Sequence, residues 1–238
     1  MNFFAIGDLH LSGKNPKPMN IFGNNWTGHF ERIQRDWREK VNGEDVILLA
    51  GDHSWAMSLE DGLYDLARLA PLPGKKVLIR GNHDYWWSGI TKLRSLRPDE
   101  SFFFLQNDCI RFGNVLFVGS RGWSCPGSGD YTEADEKIYR REAERFRLAI
   151  ELAEGERKEQ DKLVVLMHYP PFTIKREDTL FTKLFEAHGV HSVVFGHVHG
   201  AQAFPLFSEK NGIAYHLVSC DKRAFTLTQL NFSEKDAR

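Results

Sequence analysis

The chain has 238 residues, 42% hydrophobic and 26% charged, the balance of a globular protein with a sizeable core rather than a disordered one. Its net charge of -1 argues against a protein that holds nucleic acid by bulk phosphate neutralisation, while leaving room for a local basic patch. No apolar run is long enough to cross a bilayer, and three scattered cysteines, Cys109, Cys125 and Cys220, give neither a disulfide framework nor a thiolate metal site. One domain over 1–238 is expected. The opening residues are apolar and reach Asp8 without a basic leader, so they read as a first strand and the expected location is cytoplasmic.

Residues 2–6 form a short apolar run that breaks at Gly7 and then presents Asp8 and His10, a strand running into a loop with two coordinating side chains. Residues 11–28, rich in Gly, Pro and Asn, form a long irregular loop, and such loops in compact domains are often functional. After Phe30, the positions Ile33, Trp37 and Val41 recur at helical spacing, and Asn42-Gly43 supplies the stop. Residues 46–50 are uniformly apolar, the pattern of a central strand covered on both faces, and end at Gly51-Asp52. A second helix over 58–70 precedes a strand over 76–79, which runs into Arg80-Gly81-Asn82-His83-Asp84. The first 84 residues thus read β-α-β-α-β, with a coordinating side chain at every strand end, where sites gather in α/β sheets.

Beyond a helix near 89–96, short strands over 102–105, 109–112 and 115–118, separated by Asn107-Asp108 and Gly113-Asn114, predict antiparallel pairing. A glycine-rich loop from Gly119 to about Asp130 carries Arg121. Thr132 and Asp135 have the spacing of a helix-starting cap, and Ile138, Glu142, Phe146, Ile150 and Ala153 mark one face of a charged helix ended by Gly155. A strand over 163–167 ends in His168-Tyr169-Pro170-Pro171, where the prolines forbid further pairing. A helix over 178–187 leads to a strand over 192–195 and to Gly196-His197-Val198-His199-Gly200. On an extended segment these two imidazoles, two residues apart, would face one point. Strands over 213–219 and 224–230 close the sheet, and a polar tail that frays is expected over 233–238.

Asp8, His10, Asp52, Asn82, His83, His168, His197 and His199 therefore stand at the ends of strands separated by whole helices. Carboxylate, imidazole and amide donors without sulfur suit Mn, Fe, Zn or Co, and they are too many for one ion. Two ions sharing a carboxylate suit in-line displacement at phosphorus. Such a pair lowers the pKa of a shared water, so hydroxide is available near neutral pH. His83, next to Asn82, is placed to serve the leaving oxygen as the catalytic histidine.

The ordered blocks D-x-H, G-D, G-N-H-D, H-x-P-P and G-H-x-H, each after a strand, resemble the calcineurin-like metallophosphoesterase superfamily from Asp8 to His199. The resemblance implies an α/β fold, a four-layer αββα sandwich of two mixed β-sheets, with a dinuclear centre. It assigns Asp8, His10 and His199 to one metal, Asn82, His168 and His197 to the other, and Asp52 to the bridge. The expected activity is hydrolysis of a phosphomonoester or phosphodiester by a metal-bridging hydroxide, on a small phosphorylated, in one version nucleotide-like, substrate. A nuclease or nucleotide pyrophosphatase on the same centre is the alternative, and a scaffold that keeps the fold without turnover is a third.

In the protein-phosphatase branch an acidic residue three positions after the bridging Asp orients the catalytic histidine. Here Trp55 holds that position and Asp84 is the nearest substitute, which weakens the resemblance to that branch. His53 and Arg121 are candidate substrate contacts, set against a plain loop histidine and a loop-fixing arginine. Trp26, Trp55, Trp86, Trp87 and Trp123 either wall a base, sugar or acyl group or pack as a lid. His29, His188, His191 and His216 read as structural.

Overall fold

A computed structural model describes residues 1–232 of the chain, so the tail over 233–238 lies outside the described residues. The strands are β1 (Phe3–Ile6), β2 (Val46–Leu49), β3 (Lys75–Leu78), β4 (Phe102–Phe104), β5 (Cys109–Phe112), β6 (Val115–Gly119), β7 (Lys162–Leu166), β8 (Ser192–Phe195), β9 (Phe207–Lys210), β10 (Ile213–Leu217) and β11 (Thr228–Leu230). The helices are α1 (His29–Lys40), α2 (Leu59–Ala67), α3 (Ile90–Ser95), α4 (Glu136–Glu154) and α5 (Leu180–Ala187).

They form two mixed sheets. The first runs β11-β1-β2-β3-β4, parallel except for β11, and the second β5-β6-β7-β8-β10-β9, with β5 and β9 as antiparallel edges. The uniform apolarity of the central strands follows from covering both faces. In β2, Val46 and Leu48 join Phe117, Val164, Leu166 and Val194 between the sheets, whereas Ile47 and Leu49 meet Ile33, Trp37 and Leu66 under the first helical layer. On the far side, Leu163 and Val165 of β7 pack with Phe146, Ile150, Phe181 and Phe185 of α4 and α5. The result is helix, sheet, sheet, helix, the αββα sandwich that the resemblance implied. Among the described residues no helix is long and apolar enough to cross a membrane.

Pairing departs from expectation in three places. β4 does not join an antiparallel meander; it pairs parallel with β3, and the chain changes sheets before the β5-β6 hairpin. Phe102 and Phe104 belong to the helix-covered face of the first sheet, which anchors β4 there. The predicted closing strands also separate, β10 into the second sheet and β11 into the first. Ala224 and Phe225 have φ of 51° and 62°, left-handed values that hold 224–226 out of a strand. Finally, β9 (Phe-Ser-Glu-Lys) is an edge strand too polar to announce itself.

One short contact organises the functional end. A parallel bridge joins Gly7, past β1, to Ser219, past β10, with the Gly7 amide donating to the Val218 carbonyl at 2.8 Å and the Cys220 amide to the Gly7 carbonyl at 3.1 Å. The two sheets are thereby sewn together at the carboxyl ends of their parallel strands, so loops from both meet.

Candidate metal centre

Asp8 and His10 follow β1, Asp52 follows β2, Asn82 follows β3, His168 follows β7, and His197 and His199 follow β8. At the seam all seven converge. His10 Nε2 lies 3.4 Å from His199 Nε2, and His199 Nε2 lies 3.3 Å from Asp8 Oδ1. On the other side His168 Nε2 lies 2.6 Å from Asn82 Oδ1 and 3.2 Å from His197 Nδ1, with His197 Nδ1 2.9 Å from Asn82 Oδ1. Asp52 Oδ2 is between the two sets, 3.9 Å from His10 Nε2 and 3.4 Å from His168 Nε2. Asp8, His10 and His199 form one group able to hold a cation, and Asp8, Asp52 and His168 form another.

Hydrogen bonds outside the cluster fix what its atoms offer. The Ala50 carbonyl can only accept, so His168 Nδ1 donates to it at 2.8 Å, and once its second proton is displaced the ring turns a lone pair on Nε2 toward Asn82 Oδ1 and Asp52. Asp221 Oδ1 accepts from His199 Nδ1 at 2.9 Å, which leaves Nε2 aimed at Asp8 and His10, where it carries either a proton or a lone pair for a cation. Acceptors therefore face acceptors, an arrangement that repels unless a cation or a proton lies between them. The residues present fit a metal on this observation and on the donor set itself.

The titration behaviour reports the same field. Burial opposes a charge on Asp8, yet the neighbouring charges of His199 and His168 hold its carboxyl at about 2. Asp52 is likewise held below the usual carboxylate range, burial being outweighed by the charge and hydrogen bond of His168. Burial disfavours a charged His168, but Asp52 raises it to about 9; burial also opposes His199, which Asp8 and Asp221 raise to about 10. His10 and His197 move the other way, each lowered to about 4 chiefly by burial. The pocket thus keeps two carboxylates ionised and attracts positive charge.

The loops are strained to achieve this. Asp8, His10, Asp52 and His197 have φ of 61°, 48°, 54° and 72°, left-handed values uncommon for residues with a side chain. The predicted extended segment at His197 is accordingly wrong: the backbone turns there, and the two histidines of the last block part, His197 toward His168 and His199 toward His10. Close approach fixes Gly81, where a Cβ would lie 2.1 Å from Asp52 Oδ1. At Gly196 it would lie 2.6 Å from Asp8 Oδ2.

His83 lies beside the cluster. Its amide donates to Asp52 Oδ1 at 2.8 Å, its ring centroid is 4.5 Å from that of Trp55, and its Nδ1 is buried without a hydrogen-bond partner. Trp55 also stacks on His10 at 4.6 Å, so the tryptophan that replaces the expected acid packs against both imidazoles. Asp84 does not substitute for that acid. Its carboxylate accepts from the amides of Asp52, His53, Ser54 and Gly81 and from Trp86 Nε1, at 2.8 to 3.2 Å, which makes it the hub that ties two loops together.

His53 is not brought to the surface of the site: it is fully buried, bonds the Ile79 carbonyl at 2.8 Å and stacks near Trp87. Trp26, Trp86 and Trp87 are buried in the first helical layer, so they pack rather than line a cleft. Arg121 is half-buried over the Trp123 ring, and its carbonyl accepts from the amides of His168 and Tyr169. Sequence reasoning passed over Asp221, which also accepts from the Gly200 amide at 2.8 Å, and Tyr169, whose ring lies 4.2 Å from that of His197. Asp221 follows β10, so the strand-end rule that found the others points to it as well.

An αββα sandwich thus gathers nitrogen and oxygen donors able to hold metal ions where its two sheets meet. The chain belongs to the calcineurin-like phosphoesterases, whose family model matches residues 1–201. An uncharacterized metallophosphoesterase of Helicobacter pylori is 26% identical over 171 residues, which cover 70% of this chain and 40% of that protein. The match thus covers two fifths of that relative's length. Two solved structures share the fold: a protein of unknown function, AQ665, from Aquifex aeolicus (14% identity, TM-score 0.51, 96% of this chain and 95% of that one) and TT1561 from Thermus thermophilus (12% identity, TM-score 0.52, 96% and 97%).

Proposed function

We propose that the chain is a dinuclear phosphoesterase acting on a small phosphomonoester or phosphodiester. Asp8, His10 and His199 would hold one cation, Asn82, His168 and His197 the second, and Asp52 would lie between them. The observation that carries this reading is the face-to-face arrangement of acceptors: His168 Nε2 on Asn82 Oδ1 at 2.6 Å and His199 Nε2 on Asp8 Oδ1 at 3.3 Å. When bound, two cations of the Mn, Fe, Zn or Co type supply a nucleophile at neutral pH and neutralise charge on the phosphoryl oxygens.

The chain's own residues do the rest. His83 is held by Trp55 and by the hydrogen bond its backbone amide donates to Asp52 Oδ1, which sets its ring beside the cluster to give a proton to the leaving oxygen. A cleft of about 650 Å³ opens next to His197, walled by Tyr169, Phe172, Ile174 and Phe204, and receives the organic part of the ester. A panel assay on metal-stripped protein, with each cation added back to an aryl monoester, an aryl diester and cyclic nucleotides, tests the reading. His83→Ala is expected to lower kcat about 10²–10⁴-fold while cation content stays the same. Turnover untouched by that substitution rejects the role given to His83.

A further inference from the structure

Most arginines of the chain brace it: Arg94 donates to the Phe104 carbonyl, Arg111 to Asp161, Arg157 to the carbonyls of His188 and Gly189, and Arg223 to those of Leu217 and Leu206. Arg80, Arg121 and Arg141 do not. Together with Arg145 they line a pocket of about 170 Å³ that also includes Gln106 and Ser120. Among the described residues none of these three has an ion pair or a hydrogen bond from its side chain, and Arg80 Nε is buried with no partner at all. No carboxylate is among its lining residues; Glu142, fully buried, reaches it only through Arg145 and Ser120 Oγ and is also committed to the Gly122 amide.

Four guanidinium groups against one carboxylate leave a strong excess of positive charge in a recess, a costly arrangement without a counterion. Its parts are ordered beforehand. The Arg121 guanidinium lies over the Trp123 ring at 4.4 Å, Trp123 is tethered to Asp135 at 2.8 Å, and Arg141 and Arg145 sit four apart on α4. The volume is below the roughly 300 Å³ at which drug-sized ligands begin to fit.

We propose that Arg80, Arg121, Arg141 and Arg145 form an oxyanion subsite, of phosphate type, beside the metal centre. Planar forks with no acceptor of their own are suited to the tetrahedral oxygens of a phosphate. The pocket adjoins the centre along the chain: Arg80 is two residues from Asn82, at most about 7 Å of backbone, and the Arg121 carbonyl takes the His168 amide proton at 3.0 Å. That position suits a second phosphate on the substrate itself, a point that rests on the phosphoesterase reading; the oxyanion site does not.

Calorimetric titration of inorganic phosphate into the metal-stripped full chain tests the site. One saturable site is expected, weakened about tenfold or more by Arg141→Gln, an exposed position that spares the fold, and by Arg80→Gln, yet kept in His168→Ala. Absence of saturable binding to the wild type, binding lost only in His168→Ala, or arginine variants that bind as tightly as the wild type each overturn the proposal. A second arm identifies the source of the phosphate. If Arg141→Gln lowers the ratio of kcat/KM for a doubly over a singly phosphorylated aryl substrate about tenfold, the group belongs to the substrate. If that ratio holds while calorimetric binding is lost, the site takes free phosphate. A chain that hydrolyses nothing still answers the calorimetric arm, so failure of the phosphoesterase reading is told apart from failure of the subsite.

Discussion

The two sheets bring different chemistry to their common edge. The first contributes the carboxylates Asp8 and Asp52, the amide Asn82 and the imidazole His10; the second contributes imidazoles alone, His168, His197 and His199. They are also braced differently. In the first sheet's loops one buried hub, Asp84, binds the amide of the strained Asp52 and that of Gly81 at once. The second sheet's rings are fixed one at a time, His168 by the Ala50 carbonyl and His199 by Asp221. Negative charge is concentrated where a single anchor holds many amides, and the imidazoles stand where each has its own. Damage to the first half is therefore expected to spread, and damage to the second to stay local.

The largest effect expected is at the hub. Asp84→Ala strips the partner from four amides and one indole N–H in a fully buried place, and a loss on the order of 3–5 kcal/mol in denaturant unfolding is expected, together with loss of both cations. Gly81→Ala tests the contact between the two first-sheet loops. A Cβ there meets Asp52 Oδ1 at 2.1 Å and its amide nitrogen at 2.3 Å, so a cost of about 1–3 kcal/mol is expected, with a fall in cation content measured by elemental analysis.

Asp221→Asn sharpens the contrast from the other side. The carboxylate that accepts from both His199 Nδ1 and the Gly200 amide becomes a neutral amide whose NH2 must face one of those donors, so affinity for one cation should drop about 10–100-fold. Binding of the other should hold, and the unfolding midpoint should move far less than in Asp84→Ala. Equal weakening of both cations would show that the halves are not independent.

The smallest effect lies away from the edge. Burial, with Arg223 and His191 adding to it, lowers His216 from 6.5 to about 4. As pH falls the unfolded chain takes up this proton first, so the stability contributed by neutral His216 is complete above about 6.5 and is lost toward 4. His216→Phe should flatten the stability profile in that window alone, as read by urea unfolding across pH.

The donors were legible because each ends a strand whose apolar run is unmistakable, as Val46 to Ala50 leads to Asp52 and Leu163 to Met167 leads to His168. Their sheets were less so. Phe102 to Leu105 reads equally well beside β3 or in a hairpin with β5, and only packing against the first helical layer decides. Asp and His are enriched in left-handed backbone but are far commoner outside it, so the residue types at Asp8, His10, Asp52 and His197 did not show the turn that parts His197 from His199. The roles of Asp84 and Asp221 were hidden for another reason: both act on partners remote in sequence, from the Asp52 amide to His199 Nδ1.

The convergence of both sheets on a pair of cations is tested most directly by equilibrium dialysis of the full chain against Mn²⁺, followed by elemental analysis of wild type, His168→Ala and His199→Ala. Two ions per wild-type chain and one in each variant are expected. A single ion or none in the saturated wild type, or two retained in both variants, would contradict it.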